Sequence, residues 1–188
     1  MKISSAIIIL LLFFVLPACK KSANNDGVIC TGNSTGSYFP LAVGDSRQFS
    51  TNGIQTSTLI TGQSGQYFYE ESSPSLLHDT LMVTGNGDVY DKNNYYPSQF
   101  LLVPGSPQVD QVWNYGDNNG KTYHMKVLSL HESVLTNYCL YTNCLALQDS
   151  LDNNNVKVTF YAPGIGPVQS VITVGQASTS ELSALVLK

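Results

Sequence analysis

The sequence predicts an all-β domain, an antiparallel meander whose sheet is strongly curved or closed into a barrel. Three observations carry this. From Tyr38 onward the chain is a series of short apolar-rich runs broken by Gly, Asn, Asp and Pro. The breaks Asn52-Gly53, Gly85-Asn86-Gly87-Asp88, Asp117-Asn118-Asn119-Gly120 and Asp152-Asn153-Asn154-Asn155 are hairpin chemistry, residues that tolerate positive φ. No stretch sustains an i, i+3, i+4 apolar face long enough for an amphipathic helix.

The runs between these breaks are the expected strands. Ser57–Thr61, Gln66–Glu71, Thr80–Thr84, Asp88–Tyr90 and Phe100–Val103 are short. Longer strands follow at Lys121–Ser133, Cys144–Leu151, Val156–Tyr161, Val168–Val174 and Glu181–Leu187. Strands joined by sequential hairpins need a curled sheet to make a core of their own. Trp113 and Tyr115, two residues apart, share one strand face and are expected to anchor that core.

The leader fixes an address. Lys2 is a positive n-region, Ala6 to Leu16 an apolar h-region, and Leu16-Pro17-Ala18-Cys19 closes it. This is a secretory signal, too short to read first as a spanning helix. Its ending resembles the lipobox of bacterial lipoproteins, which implies cleavage between Ala18 and Cys19 and acylation of Cys19. Residues 1–18 are then the signal peptide, 19–37 a lipidated flexible tether rich in Lys, Asn, Ser, Gly and Thr, and 38–188 the β domain.

The chain has 9 basic and 13 acidic residues, net −4; the leader removes one Lys and leaves −5. Such a domain offers no electrostatic footprint for nucleic acid and no basic stripe for anionic lipid. Attachment to the membrane is expected through the lipid on Cys19, several acyl chains holding better than one because each buried CH₂ adds about 0.8 kcal/mol. Lys20-Lys21, without the acidic run of some surface-export signals, points to the periplasmic face of the outer membrane.

Three cysteines remain. Export permits disulfides, yet Cys30, Cys139 and Cys144 cannot all pair within one chain. A local Cys139–Cys144 bridge and a bridge from Cys30 to either are open. Cys144, opening the run Cys-Leu-Ala-Leu, reads best as a buried free thiol.

Four motifs carry a further resemblance. They are Tyr38-Phe39-Pro40-Leu41-Ala42-Val43-Gly44, Trp113-Asn114-Tyr115, the segment from Val134 to Leu147 with Tyr141 and Cys144, and Tyr161-Ala162-Pro163-Gly164-Ile165-Gly166-Pro167-Val168. In this order they resemble a broad group of uncharacterised bacterial envelope lipoproteins with a YFPL-x-x-G opening and a YAPGVG-type closing hairpin. Arg47 and Phe49 replace the Trp and Tyr of that opening, and Asn137 and Cys139 replace the Pro and Gly of the middle motif. The resemblance implies an all-β, curved-sheet lipoprotein domain and supplies no catalytic residues.

The chemistry-bearing candidates are few. Gly32-Asn33-Ser34-Thr35-Gly36 matches G-x-S-x-G but lies in the tether, without the strand and helix that a nucleophile elbow needs. His124 and His131 differ by an odd number and point to opposite faces of a regular strand, and His78-Asp79 lacks a nucleophile. No turn fits the EF-hand calcium pattern. No metal or cofactor is expected. Asp79-Thr80-Leu81 and Asp149-Ser150-Leu151 match a short acceptor pattern for O-glycosylation, leaving Thr80 and Ser150 open.

Tyrosines at 67, 69, 90, 95, 96, 123, 138, 141 and 161 are expected mostly to pack across strands. Tyr95 and Tyr96, in a polar turn, are the pair expected to be exposed and to touch a ligand or partner. The functional expectation is a non-enzymatic envelope lipoprotein whose curved sheet binds an apolar ligand or another envelope component. The alternatives are a structural module that docks a protein or glycan, and a hydrolase whose site is not visible.

Overall fold

A computed structural model describes residues 36–92, 96–151, 155–173 and 177–188. The described residues form twelve strands, without helix: β1 Ser46–Thr51, β2 Ile54–Ser64, β3 Tyr67–Ser73, β4 His78–Val83, β5 Val89–Asp91, β6 Phe100–Val103, β7 Val112–Gly116, β8 Thr122–Leu135, β9 Leu140–Leu151, β10 Asn155–Ala162, β11 Gly166–Ile172 and β12 Ser178–Val186. All belong to one antiparallel sheet of order β6-β5-β4-β3-β2-β1-β12-β11-β10-β9-β8-β7. The meander runs outward in both directions from the β1–β12 pair, so β6 and β7 are its edges. These edges meet, and the sheet is a nearly closed barrel, as the sequence predicts.

Local chemistry explains the hairpins. Asn52 and Gly53 both take positive φ (51° and 83°), the type I′ requirement that joins β1 to β2. In the β7–β8 turn Asp117 Oδ1 accepts from the amides of Asn119 and Lys121, at 2.8 and 2.9 Å. β7 is the strand expected to carry Trp113 and Tyr115, whereas β1, which carries Arg47 among polar residues and so lacks an apolar alternation, is not among the runs expected to be strands.

The seam between β6 and β7 is held by side chains. Trp113 Nε1 donates to the Leu101 carbonyl at 2.7 Å. Beside it the Tyr115 ring stacks on Phe100 at 4.0 Å on one side and on Tyr123 at 4.9 Å on the other. The expected Trp113–Tyr115 anchor is therefore real, and it also closes the barrel.

One end is plugged. The segment from Ser37 to Asp45 crosses it, with the Ser37 carbonyl accepting from Gly164 N in the β10–β11 turn and Gly44 and Asp45 exchanging bonds with Ile60 of β2. It lays Phe39 into a core of Ile60, Phe68, Leu81, Val89, Val103, Val127, Leu145, Leu147 and Tyr161, drawn from both halves of the sheet. Arg47, 2% exposed, fastens the plug. Its Nη2 donates to Pro40 O at 2.7 Å, its Nε to Ile165 O at 3.2 Å, and its guanidinium lies 5.3 Å from the Phe39 ring centre. Burial pulls this guanidinium below its ordinary range, with Glu70 and Asp45 opposing the shift. Gly166 sits at φ +100°, and a Cβ there would lie 3.0 Å from Arg47 Nε. Glycine is what lets the hairpin approach the plug.

Cys144 is buried and free, whereas Cys139 is disulfide-bonded. This excludes the local Cys139–Cys144 bridge. Burial first, and Glu132 second, push the Cys144 thiol up to about 12.

Candidate functional site

The end opposite the plug is open, and its inner wall is set by register. Side chains alternate faces along a strand, so Tyr161, Thr159 and Lys157 of β10 all point to the side that Tyr161 shares with the core. Cross-strand pairing then carries this face around the barrel in rows. The deepest row holds Tyr161, paired with Pro167, and Phe49, paired with Thr56. Above it Thr159 pairs with Ser170, Ser170 with Ser180, and Ser180 with Thr51, a continuous row of hydroxyls across four strands. Nearest the rim, Asp149 pairs with Lys157, Lys157 with Ile172, and Ile172 with Ser178.

These rows line a groove of about 390 Å³ bounded by Phe49, Thr51, Thr159, Tyr161, Ser170 and Ser180. Lys157 and Ile172 connect it to a second space of about 250 Å³ walled by Tyr123, Asp149, Asn155 and Val156. Within the row, the Thr159 and Ser170 hydroxyls are 2.9 Å apart and hydrogen-bonded.

The charged end of the wall is tuned. Tyr115 OH donates to Asp149 Oδ2 at 3.1 Å, while Asp149 Oδ1 is buried without a hydrogen-bond partner. Burial raises the Asp149 carboxyl above its ordinary range, and the bond from Tyr115 and the charge of Lys157 oppose that rise. The Tyr115 phenol is raised well above its own range, by burial first and by Asp149 second. It remains a donor at any physiological pH.

The outer face carries a separate apolar groove of about 380 Å³ between Leu128, Ala146, Val158, Phe160 and Val171. Its β10 residues have the opposite parity to Lys157 and Thr159, which places it on the outside.

The residues singled out from sequence fare differently. Cys19, Ala18, Cys30, Tyr95 and the Gly32–Thr35 part of the G-x-S-x-G match lie outside the described residues. Tyr96 is half-buried, its ring edge-on to Phe100 at 4.7 Å and to Tyr115 at 5.4 Å. It extends the seam stack rather than standing as an exposed contact. His78 faces Glu71 at 3.6 Å, His124 Nδ1 lies 2.9 Å from Asn114 Oδ1, and His131 is exposed. Among the described residues no group of three or more His, Cys, Asp or Glu is placed to hold a metal. Ser150 is 3% exposed and its hydroxyl bonds the His124 carbonyl at 3.3 Å, a poor glycan acceptor, whereas Thr80 is half-buried.

Sequence reading missed the hydroxyl row. Thr51, Thr159, Ser170 and Ser180 meet only through the pairings of four strands. Alternation along each strand was the sole signal present.

No protein-family model matches the chain, and no curated protein matches it. Two solved structures are similar. One is a Bacteroides fragilis NCTC 9343 protein described as exported, with a YmcC-like fold, 9% identical, matched over 81% of this chain and 100% of its own, with a TM-score of 0.50. The other is a Parabacteroides distasonis ATCC 8503 protein described as a lipoprotein, 11% identical, matched over 82% of this chain and 100% of its own, with a TM-score of 0.43. At such identity the first likeness is one of fold.

Proposed function

We propose that this protein is a non-enzymatic envelope lipoprotein, held through lipid on Cys19 to the periplasmic face of the outer membrane, whose barrel receives a ligand at its open end. The observation that carries this reading is the asymmetry of the barrel. One end is filled by Phe39 and locked by Arg47, and the other leaves a groove of about 390 Å³ lined by ordered inner-wall side chains. Preformed concave sites with a few convergent polar groups are the usual form of small-molecule sites.

The leader and the resemblance to envelope lipoproteins support the address, and the fold likeness to a protein described as exported agrees with it. The chain enters the barrel at the plugged end, where Ser37 meets Gly164. The open mouth therefore lies at the end remote from the tether. The wall next to the mouth is richer in hydroxyls than an apolar ligand requires, which shifts the expected ligand toward an amphipathic or polar molecule.

The outer groove around Val158, Phe160 and Val171 favours a second reading, a module that docks another envelope component.

The chain from Lys20, exported behind a leader without the lipid-accepting cysteine, tests the ligand reading by native mass spectrometry. A co-purifying non-protein mass supports a ligand at the mouth. A bare protein mass from both this form and the detergent-extracted lipoprotein overturns it in favour of the docking module. For the anchor, Cys19→Ala is expected to leave the chain unlipidated and soluble, and detergent-requiring membrane association of that variant would contradict it.

A further inference from the structure

We propose that the inner wall of the mouth binds a neutral oligosaccharide laid across β10, β11, β12 and β1. This rests on the reading of the mouth as a ligand site and names the class of ligand.

The wall is graded in depth. Phe49 and Tyr161 give an apolar aromatic floor, the Thr159–Ser170–Ser180–Thr51 row runs along it, and Asp149 and Lys157 stand side by side at the rim. Neighbouring strands are about 4.8 Å apart, so the four-hydroxyl row extends roughly 14 Å. A ligand using all of it is an extended chain rather than a single small ring.

Each hydroxyl can both donate and accept. A row of such groups matches a partner that also does both at successive positions, which is the property of sugar hydroxyls. The C–H faces of sugar rings suit the aromatic floor, because a ring presents apolar surface on one side and polar edges around it. An alkyl chain on the same wall would strip water from the Thr51 and Ser180 hydroxyls and return no bonds, while Thr159 and Ser170 would keep only the bond between them.

The rim points the same way. Asp149 Oδ1 is buried and lacks a hydrogen-bond donor, while Oδ2 is taken by Tyr115. An anionic ligand would meet Lys157 but also the adjacent Asp149 carboxylate, which repels it. Lys157 offers three donors to sugar oxygens. The paired opposite charges leave the site without a preference for net charge.

The test is a set of amide-shift titrations of the ¹⁵N-labelled chain from Lys20, with cellotetraose, chitotetraose and maltotetraose added separately and dodecanoate as the apolar comparison. At least one tetrasaccharide is expected to move the amides of Thr51, Lys157, Thr159, Ser170 and Ser180. Lys157→Met and Ser180→Ala are each expected to weaken that binding about five- to tenfold, the loss of one hydrogen bond, with the remaining amide spectrum unchanged. If only dodecanoate moves these amides, the saccharide class is wrong and the ligand reading of the mouth stands. If neither sugars nor dodecanoate move them and no mass co-purifies, both fall. Sugar binding that both variants leave unaffected places the sugar elsewhere and also overturns the proposal.

Discussion

Tyr115 of β7 and Asp149 of β9 are 34 positions apart in sequence and joined by a 3.1 Å hydrogen bond at the mouth of the barrel. The pair connects two features. Tyr115 belongs to the aromatic stack that closes the β6–β7 seam, and Asp149 belongs to the rim of the groove. The seam of the barrel and the rim of the site thus meet at one contact.

Asp149→Asn is expected to stabilise the protein at neutral pH by about 1 kcal/mol, because it removes a buried charge while keeping an acceptor for Tyr115. The sign follows from the raised carboxyl pKa. In the window between the ordinary carboxylate range and the raised folded value, the native state binds the extra proton, so wild-type stability falls as pH rises through it. Below that window Asp149 is protonated in both states and the advantage of Asn disappears. Urea unfolding at neutral pH and at about pH 3 reads both arms; an equal gain at the two values contradicts the assignment.

Trp113→Phe keeps the ring but removes the Nε1 bond to Leu101 O across the seam. The expected cost is about 1–3 kcal/mol, since the carbonyl loses its partner. Hydrogen exchange should accelerate in β6 and β7 before the β1–β12 pair, where strands are hydrogen-bonded on both sides. Uniform acceleration throughout the barrel would show that the seam is not a local element.

Arg47→Ala releases two carbonyls, Pro40 O and Ile165 O, and uncovers the Phe39 ring. A loss of about 2–5 kcal/mol is expected from the lost bonds together with the cavity. Limited proteolysis should then cut near Pro40 first. A variant as stable and as resistant as wild type would remove Arg47 from its role as fastener.

Cys144 is fully buried with its thiol pushed up to about 12, so it should react with a thiol reagent only after unfolding. Cys139 is bridged and not to Cys144. On the proposal that Cys19 carries lipid, peptide mapping is expected to recover Cys139 joined to Cys30, tying the tether to the plugged end. Recovery of a Cys139–Cys144 peptide would contradict this.

Much of the fold was legible because it depends on local chemistry. The hairpin at Asn52-Gly53 follows from residues that accept positive φ, and Phe100–Val103 is a strand at the boundaries its apolar run suggests. β1 was illegible because two of its three inward residues, Arg47 and Thr51, are polar, and the burial of Arg47 depends on carbonyls from Pro40 and Ile165. β2 runs from Ile54 to Ser64, well beyond the apolar core of its sequence, because its polar ends are held by pairing with β1 and β3 rather than by packing in the core. The site was less legible still. A serine such as Ser180 looks like surface until cross-strand register sets it beside Thr51 and Ser170.

The most direct measurement compares native mass spectra of the wild-type chain and a Ser180→Trp variant, whose indole would occupy the groove. A ligand site at the mouth predicts a co-purifying mass on the wild type, lost from the variant while its thermal unfolding stays cooperative. Retention of that mass by a well-folded Ser180→Trp protein, or its absence from both, would contradict a ligand site at the mouth of the barrel.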